Sequence, residues 1–290
     1  MASLILFPVL AGLSDAQQPT NSNAVFVTFS VTDQYGRYVG GLRREYFSVL
    51  EKKEPLDVTF FSQDDKPTSI GIIFDLSGSM SGKSQSIAKA VNTFIQQSNT
   101  SNDYMIVGFN KKAQLICDWN SSRDDILKAL SGVFKYKPNG QTALYDAIYL
   151  SLKKMTSSPN TKHVLLIVSD GNDDSSEITL RQVRRTLRES DVMVYVLGMQ
   201  SSEVGMNNLE DLASVSGGLA LFPRSETEMN DMSGQIAEEL RHQYVIGISP
   251  TRTVSKDKWH GIDIKLMVPK DTFAKFPRMY VRSRGGYYVP

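Results

Sequence analysis

The sequence predicts an α/β domain with a doubly wound, mostly parallel sheet, together with a β-sandwich made by the segments that flank it. Two apolar runs, 70–75 and 163–170, are bounded by turn residues and have the length of strands covered on both faces. Near the ends of the chain the pattern changes to alternation, as in 24–31, where every second residue is apolar. Such alternation is typical of antiparallel strands with one buried face.

The elements of the central domain follow from these patterns. Strands are expected near 70–75, 103–109, 113–118, 163–169, 192–198 and 219–222, with helices in the intervals. One of these helices is 84–98, because its apolar residues recur at helical spacing and form a single stripe. Strands that alternate with helices in this way indicate a parallel sheet with helices on its faces.

Both flanks carry further strand patterns. They lie at 24–31, 46–50 and 56–61 before the central domain, and at 243–249, 261–268 and 278–282 after it. Three strands alone make a marginally stable sheet, so the two chain ends are expected to pair into one sandwich with the α/β domain inserted between them. The predicted divisions are 1–20 for a signal peptide, 21–66 and 243–290 for the two parts of the sandwich, and 67–242 for the α/β domain.

Side chains with oxygen atoms collect where the central strands end. Asp75 and Asp170 close the two buried strands, and the loop after the first strand adds the hydroxyls of Ser77 and Ser79. A turn between the two strands brings a further hydroxyl, Thr142, to the start of a helix. Ligands of open α/β sheets bind at the carboxyl ends of the strands, so we expect these side chains to form one site.

This set of donors favours a hard divalent cation. Carboxylate and hydroxyl oxygens without His or Cys select Mg²⁺, Mn²⁺ or Ca²⁺ over zinc or copper, and few protein ligands with retained waters favour Mg²⁺. Only Asp75 and Asp170 carry a formal charge. The metal would therefore stay electrophilic, and a carboxylate of a partner protein is expected to complete its shell.

The spacing of these residues resembles a known metal site. The matching segments are Asp75-x-Ser77-x-Ser79, Thr142 within Gly140-Gln141-Thr142-Ala143-Leu144, and Asp170-Gly171. Together they resemble the metal-ion-dependent adhesion site (MIDAS) of von Willebrand factor A domains, and the resemblance covers about residues 68–240. It implies a Rossmann-like α/β domain in which the serines and often the threonine hold Mg²⁺ directly, while the aspartates act largely through waters.

The flanks extend the resemblance. Segments 31–36, 42–46 and 284–288 resemble the secreted bacterial VWFA-related proteins of Acidobacteria. This closer likeness implies export from the cytoplasm, and it implies no particular activity.

A phosphate-binding loop is the main enzymatic alternative. Gly82-Lys83-Ser84 follows one strand and Asp170 ends another, but the P-loop pattern requires a glycine at the position of Ser77, and Asp75 would repel phosphate. A haloacid-dehalogenase-type enzyme would need a second aspartate at that same serine. H-E-x-x-H and G-x-S-x-G patterns are absent from the sequence. The sequence therefore predicts no catalytic residue and no cofactor other than the metal.

Three further groups have both structural and functional interpretations. Asp173, Asp174 and Glu177 would form an acidic rim beside the metal, either touching a partner or serving as first-turn acids of a helix at 178–189. The arginines of that helix, Arg181, Arg184, Arg185 and Arg188, interleave with apolar residues, which favours a solvated helix face. Cys117 is expected to be a small buried side chain rather than a nucleophile.

Composition limits the partners and the location. The chain has 290 residues, of which 41% are hydrophobic, and 32 basic against 31 acidic residues give a net charge of +1. Without a strong positive field, nucleic acid and anionic membranes are not expected partners.

Leu4–Leu13 is an apolar run followed by small residues, as in a signal peptide, although no basic residue precedes it; a docked N-terminal strand is the alternative. No segment is long enough for a membrane span, so we expect a secreted or periplasmic protein without an integral membrane segment.

The sequence thus favours a binding or adhesion module that is not an enzyme and that captures an Asp or Glu of a partner protein through Mg²⁺, with Mn²⁺ or Ca²⁺ as alternatives. A metal-stabilised structural or assembly protein without a carboxylate ligand stays open. Nucleotide hydrolysis is the least favoured class. The oligomeric state is not determined by the sequence.

Overall fold

The computed structural model describes residues 24–120, 122–133, 138–199, 202–250, 258–267 and 278–289. The predicted signal peptide lies outside this part of the chain, as does the end of the strand expected at 261–268. The strands are β1 (Val25–Asp33), β2 (Phe47–Glu51), β3 (Glu54–Leu56), β4 (Val58–Ser62), β5 (Thr68–Asp75), β6 (Asp103–Phe109), β7 (Ala113–Asn120), β8 (Lys162–Ser169), β9 (Met193–Gly198), β10 (Ala220–Leu221), β11 (Tyr244–Ile248), β12 (Lys258–Leu266), β13 (Met279–Ser283) and β14 (Gly286–Val289). The helices are α1 (Ser84–Gln97), α2 (Arg123–Val133), α3 (Leu144–Met155), α4 (Leu180–Glu189), α5 (Glu203–Ser216) and α6 (Glu226–Arg241).

A six-stranded sheet in the order β10-β9-β8-β5-β6-β7 forms the central domain. Only the edge strand β7 is antiparallel to its neighbour; β5 runs parallel to both β6 and β8, and strand order reverses at this point. Every residue of β5 is buried, because α1, α2 and α6 cover one face of the sheet and α3, α4 and α5 cover the other. The predicted doubly wound α/β fold is confirmed.

The sandwich consists of two four-stranded sheets, β13-β1-β11-β4 and β14-β12-β2-β3. β1 pairs with β11 and β13, and β2 pairs with β12, so strands from both chain ends share each sheet. Phe29, Phe47 and Tyr244 pack in the core between the sheets. The predicted pairing of the two chain ends is confirmed, while the divisions at 66/67 and 242/243 stay a prediction.

Some elements differ from the sequence predictions. β14 was not predicted, because its glycine and tyrosines lack a clear alternating pattern; it forms by pairing with the early part of β12. The helix expected from 178 begins at Leu180, because Thr179 caps it: the Thr179 side chain accepts from the amide of Gln182, whose own side chain accepts from the amide of Thr179. In the described part of the chain, none of the helices has the length and apolar character of a membrane span.

A buried glutamate joins the two modules. Glu239 in α6 is 0% exposed, and it accepts hydrogen bonds from Ser30 Oγ at 2.8 Å and Tyr38 Oη at 2.8 Å, both in the sandwich region. Tyr195 Oη of the central sheet donates to it at 2.6 Å, and Arg282 of β13 forms an ion pair with it. This cluster of Glu239 with its four donors, the Glu239 cluster below, fixes α6 against the outer face of the β1 sheet.

Candidate metal centre

The first part of the site is the loop after β5. The amide of Ser77 donates to Asp75 Oδ1 at 2.9 Å, which turns the chain back over the end of the strand. The hydroxyls of Ser77 and Ser79 lie 3.0 Å apart. Ser77 is buried whereas Ser79 is exposed, so this pair of hydroxyls reaches from the interior to the protein surface.

Asp170 is brought beside Asp75 by the neighbouring strand β8. Ser169 Oγ donates to Asp75 Oδ2 at 2.7 Å and accepts from the amide of Gly171 at 3.0 Å. The amide of Asn172 donates to Asp170 Oδ1 at 3.1 Å. Gly171 has φ +80°, and a Cβ there would lie 2.4 Å from the carbonyl oxygen of Gly205, which explains why glycine follows the aspartate.

The loop that carries Thr142 lies against the loop after β5. The amide of Asn139 donates to the carbonyl of Leu76 at 2.9 Å, and the amide of Gly78 donates to the carbonyl of Gly140 at 3.3 Å. Thr142 is 5% exposed. The three segments predicted from the sequence therefore meet at one edge of the sheet, at the carboxyl ends of β5 and β8.

The acidic residues after Asp170 hold this arrangement together. Asp174 Oδ1 accepts from the amide of Thr142 at 2.7 Å, and the amide of Asp174 donates back to the carbonyl of Thr142 at 3.0 Å. Asp173 accepts from the amide of Tyr145 at 3.1 Å. The alternative in which these acids serve the first turn of the next helix is therefore wrong: α4 has no acidic residue in its first turn, and the carboxylates of Asp173 and Asp174 bind the start of α3 across the site.

The roles of two residues at the site, Ser169 and Asp174, were not predicted from the sequence. Ser169 links Asp75 to the backbone after Asp170, and its position directly before that aspartate was the available signal. The reciprocal contact between Asp174 and Thr142 had no sequence signal, because the two residues are far apart in the chain and meet only through the sheet. Tyr145 packs beneath the loop, and its hydroxyl accepts from Asn208 at 3.1 Å.

The electrostatics of the site suit a bound cation. Asp75 and Asp170 are 4% and 2% exposed. Burial raises the pKa of Asp75 and the charge of Asp170 adds to this rise, while hydrogen bonds from Ser77 and Ser169 oppose it. Within the described residues, Asp75 has no Lys, Arg or His in salt-bridge contact. A divalent cation would offset the cost of two neighbouring buried carboxylates.

The hydroxyls decide what kind of cation fits. Among the residues that the structure describes, no three His, Cys, Asp or Glu side chains converge as metal ligands. A metal here therefore depends on Ser77, Ser79 and Thr142 as well as on the two aspartates. Such an all-oxygen set with few charges fits Mg²⁺ and related hard cations better than a thiolate- or imidazole-binding metal.

The loop geometry is unfavourable for a nucleotide phosphate. In a P-loop the backbone amides point at the phosphates. Here several of them donate within the protein, namely the amides of Ser77, Gly78, Met80, Ser81 and Lys83.

Cys117 is half-buried rather than buried, and burial together with Asp118 and Asp125 raises the pKa of its thiol, which disfavours a thiolate nucleophile.

The family model for the von Willebrand factor type A domain matches residues 69–235, more than half of the chain. The chain belongs to the von Willebrand factor type A (VWA) domain family. Members of this family are protein-interaction and adhesion modules that often carry a MIDAS. The match includes all five candidate metal ligands.

Similarity to individual proteins is lower. Inter-alpha-trypsin inhibitor heavy chain H2 of Homo sapiens is 24% identical over 197 residues, which are 61% of this chain and 20% of that protein. The Mus musculus protein is 23% identical over the same length. This chain thus matches only about a fifth of the length of these relatives.

Solved structures share the fold at low sequence identity. The von Willebrand factor type A structure from Catenulispora acidiphila is 11% identical, with a TM-score of 0.54 over 86% of this chain and 72% of that one. Proximal thread matrix protein 1 from the mussel byssus, with a zinc-occupied MIDAS motif, is 17% identical, with a TM-score of 0.54 over 64% of this chain and 48% of its own. At these identities the likeness concerns the fold of the VWA domain.

Proposed function

We propose that this VWA protein is a metal-dependent protein-binding or adhesion module and not an enzyme. Asp75, Ser77, Ser79, Thr142 and Asp170 would hold Mg²⁺, with Mn²⁺ or Ca²⁺ as alternatives. The metal would supply a Lewis-acidic centre that binds a carboxylate, and the partner would be a protein that presents an Asp or Glu.

The observation that carries this proposal is the environment of Asp75. Its carboxylate is buried next to Asp170, its pKa is raised by that burial, and its contacts come from neutral donors. A buried carboxylate in such surroundings destabilises the fold unless a positive charge from outside the chain compensates it. The zinc-occupied MIDAS of the mussel byssus protein supports a divalent cation at this edge of the fold.

The exposed side of the site suits a ligand from another molecule. Gly78 and Ser79 are exposed, while Asp75 and Ser77 beneath them are buried. A carboxylate could therefore approach the metal from the side of Ser79 without moving the buried ligands. Because the hydroxyls are neutral, the charge of the bound cation would remain only partly compensated and would attract an anion.

The test is a thermal melt of the protein with Mg²⁺, Mn²⁺, Ca²⁺, Zn²⁺ or EDTA, run beside Asp75→Ala. A ligand that binds only the folded state raises the melting temperature as its concentration increases. We expect Mg²⁺ or Mn²⁺ to raise it in the native protein and to have no effect on the variant. Equal melting temperatures in Mg²⁺ and EDTA for the native protein would contradict the metal site.

A binding experiment separates the functional classes. Complexes with partner proteins should form in Mg²⁺, dissociate in EDTA and be lost in Asp75→Ala. If the variant is less stable yet keeps its complexes, the metal is structural and the assembly role is correct instead. If the protein hydrolyses ATP and Lys83→Ala abolishes this activity, the nucleotide hydrolase alternative is correct instead.

We further propose that the protein acts outside the cytoplasm, either secreted or in the periplasm, and that it belongs with the secreted bacterial VWFA-related proteins. The flanking segments at 31–36, 42–46 and 284–288 support this relationship. Fractionation of cells that produce the full-length chain tests the location: recovery in the cytoplasmic fraction alone would contradict it.

A further inference from the structure

A cavity of about 590 Å³ lies between the VWA domain and the sandwich. Its apolar wall comes from both modules, with Phe26, Phe60 and Val245 on the outer face of the β1 sheet and Met193 at the start of β9. Phe26 is 43% exposed, and its ring meets Phe60 edge-on at a centroid distance of 5.5 Å. Mainly apolar cavities of roughly 300–1,000 Å³ between domains are typical of small-molecule sites. We call it the inter-module cavity.

Lys162, in the wall of this cavity, has no carboxylate in salt-bridge contact among the residues that the structure describes. Lys162 Nζ donates to the carbonyl of Leu240 at the end of α6. Burial lowers the pKa of Lys162 to about 8, and the negative charges of Asp65 and Glu239 oppose this from a longer range. Lys162 is therefore mostly charged at neutral pH, and an anion in the cavity would stabilise that charge.

An arginine in the same wall also bonds to backbone carbonyls rather than to a carboxylate. Arg284 donates to the carbonyls of Ser190 and Arg188, and no carboxylate lies within salt-bridge distance of it among the described residues. Its Nε is buried without a hydrogen-bond partner. Burial lowers the pKa of Arg284, and Asp191 opposes this from a distance.

A glutamine of the cavity wall has a side-chain oxygen that accepts no hydrogen bond in the described structure. Gln243 is 2% exposed, and its Oε1 has no hydrogen-bond partner in the described structure. The orientation of the Gln243 amide follows from its neighbours. The hydroxyl of Tyr195 donates its hydrogen to Glu239, so the same hydroxyl accepts from Gln243 Nε2 at 2.8 Å. Buried polar atoms without partners are rare in native proteins, and this acceptor requires a donor such as a water, which a carboxylate does not supply.

The charges that line the cavity favour an anion. Lys66, Lys162 and Arg284 outnumber Asp64 and Asp191. Asp191 is already engaged by His163 Nδ1 at 2.8 Å, and although burial alone lowers the pKa of His163, this contact raises it overall. The cavity therefore combines an apolar wall with an excess of positive charge.

We propose that the inter-module cavity binds an amphipathic molecule with a single carboxylate head group. The carboxylate pairs with Lys162, while Arg284 and Lys66 add positive charge to the same wall. The apolar body packs against Phe26 and Phe60. Lys162 begins β8, whereas Asp170 follows its end, so this site lies at the opposite edge of the sheet from the candidate metal centre. Binding should therefore be independent of the metal.

Calorimetric titration of the full chain with decanoate below its micelle concentration tests the proposal. Decanol has the same chain length without the charge, and decyltrimethylammonium has the opposite charge. We expect decanoate to bind at least tenfold more tightly than either probe, both in Mg²⁺ and in EDTA. Equal binding of decanoate and decanol, or no binding of decanoate, would overturn the proposal.

Variants of the cavity locate the binding site. Lys162→Met should weaken decanoate binding at least tenfold, as should Thr28→Phe, which fills part of the cavity without removing a charge. Thr32→Phe is the matched control, because it lies on the same face of β1 outside the cavity, and it should bind normally. If Lys162→Met does not fold, Lys66→Met takes its place, with Lys89→Met as its surface control. Unchanged binding in Thr28→Phe and in the lysine variant would place decanoate elsewhere and overturn the proposal.

Discussion

Two buried carboxylate sites at opposite edges of the central sheet are built differently. Glu239 is 0% exposed and has an arginine and three hydroxyls of the same chain as partners. Asp75 is 4% exposed and receives a backbone amide and one hydroxyl, with a second carboxylate, Asp170, beside it. The described residues complete the first site electrostatically, whereas none of them brings a basic side chain into contact with Asp75.

The difference separates structural burial from functional burial. A buried charge that is paired and hydrogen-bonded joins elements firmly, and here Glu239 ties α6 to the sandwich. A second carboxylate beside a buried one, as Asp170 is beside Asp75, raises the pKa of the buried group and weakens the fold, and such an arrangement is common at binding sites. The comparison therefore predicts opposite responses when each charge is removed.

The largest effect is expected for Glu239→Gln. The amide keeps the shape of the side chain but leaves Arg282 without its carboxylate, so the free energy of unfolding should fall by about 3 kcal/mol. Urea denaturation measures this loss. Glu238→Gln, an exposed neighbour on the same helix, is the control and should change stability by less than about 0.5 kcal/mol. A loss below about 1 kcal/mol in Glu239→Gln would contradict the importance of the Glu239 cluster.

A smaller effect is expected for Asp174→Ala, which touches the metal site only through the backbone of Thr142. Loss of that contact should loosen the Thr142 loop and weaken Mg²⁺ binding about tenfold, as for other residues that position metal ligands. Titration with Mg²⁺ or Mn²⁺ measures the affinity. Glu177→Ala removes an exposed acid of the same rim, so equal weakening in both variants would mean that charge alone, and not positioning, is responsible.

The smallest effect, of opposite sign to that of Glu239→Gln, is expected for Asp75→Asn in EDTA. The neutral amide removes repulsion with Asp170, so the free energy of unfolding should increase, by up to about 0.5 kcal/mol. In Mg²⁺ the native protein should become more stable than the variant. A loss above about 2 kcal/mol in EDTA would mean that the chain itself compensates Asp75, and the contrast between the two sites would be wrong.

Sequence patterns predicted most of the fold, since the parallel strands β5, β6, β8 and β9 are largely apolar runs and the strands of the sandwich alternate. β14 was missed because its pairing with β12, rather than its own residues, creates the strand. The proposed metal ligands could be named from local spacing. The roles of Asp173 and Asp174 could not, because their carboxylates bind amides at and just before the start of α3, far away in the sequence.

The sequence by itself determined the order of strands and helices, the family of the central domain and the residue types at the ends of β5 and β8. These properties are local, since they depend on periodicity and on motifs a few residues long. Only the tertiary structure decided which charges are compensated and where the modules meet. Glu239 gains its arginine from β13, and the inter-module cavity gains its walls from strands at both ends of the chain. Such contacts depend on which distant segments pack together, and no local pattern encodes that.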